Sequence, residues 1–160
     1  MYEKCNLTTA EILKELAKEE LILPTYTKPS YSNLGFSLIG RILAEDVEKT
    51  SFEEWTTNKF FSPMGMNSSG LIYTADVISK MAVGYSGGVP QPLFSFGWSS
   101  PSGEAFSSVN DLAKMVSFFT IQDKYNDVLG WNTRKEMLLP NWVYFSSSIF
   151  PFRFVNLKIS

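Results

Sequence analysis

Histidine does not occur anywhere in this sequence of 160 residues. A Ser-His-Asp or Cys-His triad is therefore excluded within the chain, and so is a histidine-based zinc site. Any acid–base or nucleophilic chemistry falls to Tyr, Ser, Lys, Asp or Glu. Cysteine occurs once, at Cys5, which excludes an internal disulfide framework and fits a reducing compartment. An excess of one charge is also lacking. Fourteen basic residues stand against 16 acidic ones, for a net charge of −2. With no Lys/Arg cluster, neither nucleic acid nor an anionic membrane is an electrostatically favoured partner. No hydrophobic run reaches the length of a transmembrane helix. The opening stretch MYEKCNLTTAEILKEL has no apolar core of the signal-peptide kind.

What is present suits a packed body. The sequence is 44% hydrophobic, 19% charged and 15% aromatic, which fits one domain or a piece of a larger one. Thr8-Thr9-Ala10-Glu11 reads as a capping box opening a helix to about residue 21, with Ile12, Leu13 and Leu16 on one face. A second helix is expected over about residues 34–49. Phe36, Ile39, Leu43 and Val47 recur on it at helical spacing. Gly35 and Gly40 cost it about 1 kcal/mol each against Ala, so close packing and burial of that helix are expected. Ser51-Phe52-Glu53-Glu54 caps a short helix ending near Phe61, and Pro63-Met64-Gly65-Met66 turns the chain. Residues 75–83 read as helix and 84–103 as a long irregular loop. Ser108-Val109-Asn110-Asp111 starts a helix with Val109, Leu112, Val116 and Phe119 as its apolar face. A last helical turn spans 133–139, before Pro140. The fold class expected is mainly α with long irregular loops.

Tyr31 and Asn33 lie two apart just ahead of the second helix, where an extended chain points them to one side. A helix start carries unpaired N–H groups and a partial positive charge that favours a phenolate. A phenolate can serve as a general base, and an Asn amide can both donate to and accept from a substrate. Ser and Asn are equally ordinary helix caps, so the triplet by itself leaves both roles open.

The surrounding stretch PSYSNLGFSLIGRILAE resembles the Tyr-x-Asn motif of the serine β-lactamase-like family. That family takes in class C β-lactamases, penicillin-binding-protein-like carboxypeptidases and esterases, and animal β-lactamase-like proteins. Four more stretches are similar to family landmarks in the same order: FEEWTTNKFFSPMGMNSSG, MAVGY, PSGEAFSSVNDLAKMVSFF and TRKEMLLP. The resemblance implies that Tyr31 handles the proton of a nucleophile and that Asn33 hydrogen-bonds the acyl side of a substrate. It places Gly103 and residues 107–113 in a structural helix and its entry loop. It implies no metal and no organic cofactor, and a small-molecule or peptide substrate only where the domain is complete. It further implies that this segment is the helical subdomain portion of an α+β fold, with most of the sheet missing. The helix faces at Leu34 and Val109 would then lack part of their cover.

The family's other two motifs do not occur here. No serine has a lysine three residues later, and there is no Lys-Thr-Gly. Thr56-Thr57-Asn58-Lys59 has a similar spacing with a threonine, but it follows the tyrosine motif; Thr56 and Lys59 read as solvent-facing helix residues. The resemblance covers residues 1–140 as a partial domain and stops there. Residues 141–160 form a divergent apolar and serine-rich tail. The expectation is a fragment of a serine hydrolase performing acyl transfer, inactive as this chain for want of its nucleophile. The alternative is a non-catalytic interaction module or an unstable alternative-transcript product. Phe94, Phe96 and Trp98 read either as cleft lining or as packing residues.

Overall fold

Five helices begin at a serine or threonine whose hydroxyl accepts the backbone N–H three residues on, which satisfies one of the orphan donors at each start. The computed structural model describes residues 4–25, 27 and 30–139, with the backbone of 142–143 and 153–154. Helix α1 spans Thr9–Leu16 with a complete capping box, Glu11 reaching back to the Thr8 amide at 2.8 Å. It ends short of the expected residue 21, in a pair of tighter backbone turns, and Leu21 and Ile22 beyond it face solvent.

Helix α2 spans Asn33–Arg41 and continues in π-helical form over Ile42–Val47. Helix α3, Phe52–Thr56, likewise continues as π-helix over Thr57–Phe61. Its cap is only half a box, because the Glu54 carboxylate accepts from the hydroxyls of Thr50 and Ser51 and not from a backbone amide. Helix α4 spans Ala75–Lys80. The stretch expected to be irregular holds a hairpin, β1 at Tyr85–Ser86 against β2 at Val89–Pro90. Gly87 and Gly88 supply the two positive φ values, 58° and 79°, that a two-residue hairpin turn demands. A 3₁₀ turn at Ser100–Ser102 precedes α5, Val109–Thr120, and α6, Trp131–Met137. Strand β3, Trp142–Val143, pairs antiparallel with β4, Arg153–Phe154. The expectations for Pro140 and for the rest of the tail lie outside the described residues.

The chain is thus mainly helical, with two-residue strands and long connections, as expected. Its core joins Phe61, Met64, Met66 and Leu71 to Phe118 of α5. Phe60 and Phe119 pack edge-on against Phe118 at ring separations of 5.6 and 4.9 Å. Among the described residues no helix is long and apolar enough to cross a membrane.

The orientation of two helices differs from expectation. The buried side of α2 is Ser37, Gly40 and Arg41, followed by Ala44 on the π-helical turn. Phe36, Ile39 and Val47 are 53%, 49% and 64% exposed. The small side of the helix wins because the 97–101 segment lies against it. A Cβ on Gly40 would come within 2.6 Å of Pro101 Cβ, leaving room for nothing larger. On α5 the inward residues are Asp111 and Phe118, while Val109, Leu112 and Val116 face outward. The apolar faces that begin at Leu34 and Val109 are therefore uncovered.

Gly40→Ala should lower the melting temperature, with a cost of about 1–3 kcal/mol from overpacking against Pro101. Gly84→Ala, with nothing within 4 Å of the added Cβ, should leave it nearly unchanged. Thermal melts of the two variants give the comparison, and equal melting points would refute the tight contact.

Candidate functional site

The extended backbone of Ser32, at φ −148° and ψ 109°, delivers the chain into α2 and sets the geometry of its neighbours. Ser32 Oγ accepts the Gly35 N–H at 3.0 Å and so caps the helix. Tyr31 and Asn33, on either side of it, turn to the same side, and the Tyr31 hydroxyl donates to Asn33 Oδ1 at 2.6 Å. Tyr31 is 68% exposed, so this pair faces solvent at the helix start. With Oδ1 engaged, the Asn33 Nδ2 group is left to donate outward. One turn on, Ser37 Oγ donates to the Asn33 carbonyl at 2.8 Å, which holds the first turn closed from its buried side.

The support beneath this pair is polar. Arg41, 7% exposed, donates through Nε to the Trp98 carbonyl at 2.9 Å and through Nη2 to the Gly97 carbonyl and to Ser100 Oγ, both at 3.0 Å. It also holds Glu53 of α3 by two bonds of 2.9 and 3.2 Å and lies 3.5 Å from Glu45. Burial alone would push the Glu53 carboxyl up. The hydrogen bonds from Ser100 and Arg41 outweigh it and hold the group below its ordinary value.

A second tie fixes the entry of α5. Asp111, 3% exposed, accepts the Ser68 amide at 2.7 Å, Ser69 Oγ at 2.9 Å and Lys114 Nζ at 2.7 Å. Lys114 also donates to the Gly65 carbonyl. Burial opposes the Asp111 charge, and these donors, Lys114 first, more than offset it, so its pKa is lowered. Asp111 therefore does not turn back onto its own helix as a cap residue. It joins the Met-Gly-Met turn to the helix, which is a structural task. At the far end of α5, the fully buried Arg134 donates to the carbonyls of Phe118, Ile121 and Gln122 and to Asn126 Oδ1. A cation among the last carbonyls of a helix is favoured by their partial negative charge.

Gly103 lies in the entry loop and Ser107 touches Ser69 Oγ at 2.7 Å. Lys59 is exposed, 3.8 Å from Glu48, but Thr56 is half-buried with its hydroxyl unpaired, not solvent-facing as its sequence position suggested. Of the loop aromatics, Trp98 is buried and donates from Nε1 to Thr9 Oγ1, whereas Phe94 and Phe96 stack edge-on at 5.0 Å with about a third of each exposed. A cleft of about 750 Å³ opens beside Phe94 and Trp98, and neither Tyr31 nor Asn33 lines it. Among the described residues, no three His, Cys, Asp or Glu side chains are arranged to hold a metal ion. Nothing in the sequence marked Glu104, Asp111, Arg41 and Arg134 for burial or Glu53 for half-burial. All but Glu104, which lies in a loop, sit on helices where an amphipathic reading assigns charge to the solvated face.

The sequence profile of the family described as Beta-lactamase matches residues 2–143. The human protein described as beta-lactamase-like 1 is 36% identical over 110 residues, 68% of this chain and 22% of its own length. Beta-lactamase-like protein 4 of Dictyostelium discoideum is 39% identical over 124 residues, 69% of this chain and 21% of its own. The chain therefore spans about a fifth of the length of these relatives. Among solved structures, the octameric penicillin-binding protein homologue from Pyrococcus abyssi superposes with a TM-score of 0.65 at 27% identity, over 82% of this chain and 30% of that one. A beta-lactamase from Sulfitobacter sp. EE-36 shares the fold, with a TM-score of 0.61 at 22% identity over 69% of this chain and 30% of that one.

Both lowered carboxyls make stability depend on pH in one direction. Their stabilising effect is fully present above the ordinary values of 4.5 for Glu53 and 3.8 for Asp111, and is lost as pH falls through the lower folded-state values. Melting temperature should therefore fall on acidification below about pH 4.5. Asp111→Asn should cost about 1–3 kcal/mol at neutral pH and flatten the acid slope, read from melts at stepped pH. An unchanged slope in that variant would remove Asp111 as a source of the pH dependence.

Proposed function

The chain belongs to the beta-lactamase family, and on that premise we propose that it is the middle part of a serine hydrolase whose active-site wall begins at Tyr31. The reading rests on one observation above the others: Tyr31 and Asn33 meet through a 2.6 Å hydrogen bond on the solvent side of a capped helix start. A phenol and an amide held together there can divide the work of acyl transfer. In a complete site, a serine oxygen adds to the acyl carbon as its proton passes to the Tyr31 hydroxyl oxygen, and the proton that Tyr31 now shares with Asn33 Oδ1 moves on to the departing amine or alkoxide. Asn33 Nδ2, whose Oδ1 is engaged by Tyr31, would donate to the acyl-side carbonyl of a bound amide, ester or peptide.

The nucleophile is not among these 160 residues, since no Ser-x-x-Lys occurs. Groups that act as a unit contribute little alone, so Tyr31 without its serine gives no covalent catalysis. A coverage of about a fifth of the related chains supports the reading that the rest of the site lies in other sequence. A second reading, a non-catalytic interaction module, draws on the uncovered apolar faces of α2 and α5.

Incubated with a fluorescent penicillin or a fluorophosphonate, the 160-residue chain should show no covalent adduct in its intact mass; an adduct on any of its serines would overturn the proposal. Endogenous protein captured with an antibody to the Tyr31 region should yield peptides that precede Met1 and include Ser-x-x-Lys. In that longer product Tyr31→Phe should slow acylation by about 10²- to 10⁴-fold. An unaltered rate would take Tyr31 out of the chemistry.

A further inference from the structure

The cleft of about 750 Å³ lies between residues 4–9 and the loop of residues 93–98, and is within the size range of small-molecule sites. Leu71, Ile72, Leu93, Phe94 and Trp98 make its apolar walls. Glu104 also lines it and is 5% exposed. Its Oε2 accepts the Phe96 amide at 3.0 Å, and among the described residues no lysine or arginine nitrogen pairs with it. The other two acids of the cleft are already matched: Glu45 and Glu53 both bond Arg41. Lys4 also lines the cleft and forms no ion pair among the described residues.

A carboxylate buried with one backbone donor and no cation among the described residues favours an opposite charge beside it. Its field reaches the neighbouring ring. Burial first, and then the nearby Glu104 charge, raise the Tyr73 phenol above 10.0. An ammonium suits this carboxylate because it carries both the opposite charge and N–H donors. An apolar body attached to it would cover the leucine, isoleucine and aromatic walls.

We propose that this cleft is a binding site for an alkylammonium group carried on a small apolar body, with Glu104 as its anionic partner. The proposal does not depend on the role of Tyr31, which lies outside the cleft. The ammonium can come from a free amine or from a lysine side chain of a polypeptide, and the two sources share the same chemistry.

The test is titration of the 160-residue protein with 4-phenylbutylamine and with 4-phenylbutanol. Kd is measured by calorimetry, and the site is read from the Trp98 indole N–H in ¹H–¹⁵N spectra. The amine should bind about tenfold tighter or more, the size of a charge-assisted hydrogen bond, and Glu104→Gln should erase the difference. A parallel pair, acetyl-Leu-Lys-Leu-amide and its norleucine counterpart, separates the sources. A lysine preference larger than the amine preference assigns a polypeptide ligand, and the reverse assigns a free amine. Equal binding of amine and alcohol together with equal binding of the two peptides overturns the proposal, as does no binding at all. A preference that survives Glu104→Gln overturns it too. The wild-type comparisons decide the matter even where the variant fails to fold.

Discussion

Arg41 is the residue on which the arrangement turns. Its guanidinium is buried between two segments distant from it in sequence, and it donates to both: to Glu53 on α3, and to the carbonyls of Gly97 and Trp98 and the Ser100 hydroxyl in the 97–100 segment. A charge so buried is tolerated only when its partners are complete. The 97–100 segment must therefore lie flat on α2, and α2 must present a surface that allows it. Gly40 and Ser37 do so, one turn apart on the same side, with Ser37 Oγ at 3.4 Å from the Ser99 carbonyl. The cap at Ser32 and the Tyr31–Asn33 pair sit at the outer end of a helix that this network immobilises. A site group is only as well placed as the residues behind it.

Where a larger protein of this family has a sheet against its helices, the described residues rely on polar ties between loops and helix ends. Asp111 joins the turn at Ser68 and Ser69 to the start of α5, and Arg134 gathers the carbonyls at its end. These bonds orient α5 so that Phe118 enters the core while Val109 and Val116 remain outside. The apolar residues Leu34, Phe36 and Ile39 of α2 and Val109, Leu112 and Val116 of α5 are then left exposed. The same arrangement that pairs Tyr31 with Asn33 leaves these apolar residues exposed.

Local chemistry was legible in the sequence wherever it is decided within a few residues. Thr8, Ser51 and Ser108 cap the helices they were expected to cap, and the order of family landmarks carried both the fold and the Tyr31–Asn33 pair. Capping and turn signals act over one helical turn, and residues two apart at a helix start face the same side whatever surrounds them. The exceptions were also local in origin. The Gly87-Gly88 hairpin was hidden because strands of two residues have no alternation to read. The α1 end was overextended because its charged residues continue a helical pattern past the last half-buried leucine.

By itself the sequence determined the family, the five helix starts capped by serine or threonine, and that no histidine, second cysteine or Ser-x-x-Lys stands in these residues; the last helix begins at Trp131, two residues before the expected start, and the helix expected over 75–83 ends at Lys80. Only the tertiary structure decided which side of each helix faces inward. Periodicity ranks faces by apolarity, but burial is granted to the side that fits its neighbour and completes its charges. On α2 that side is Ser37, Gly40 and Arg41, and on α5 it includes Asp111. It likewise decided that Glu104 would be buried beside an open cleft with no lysine or arginine paired to it among the described residues. Whether a charge finds a partner depends on segments far apart along the chain, and no local pattern records it.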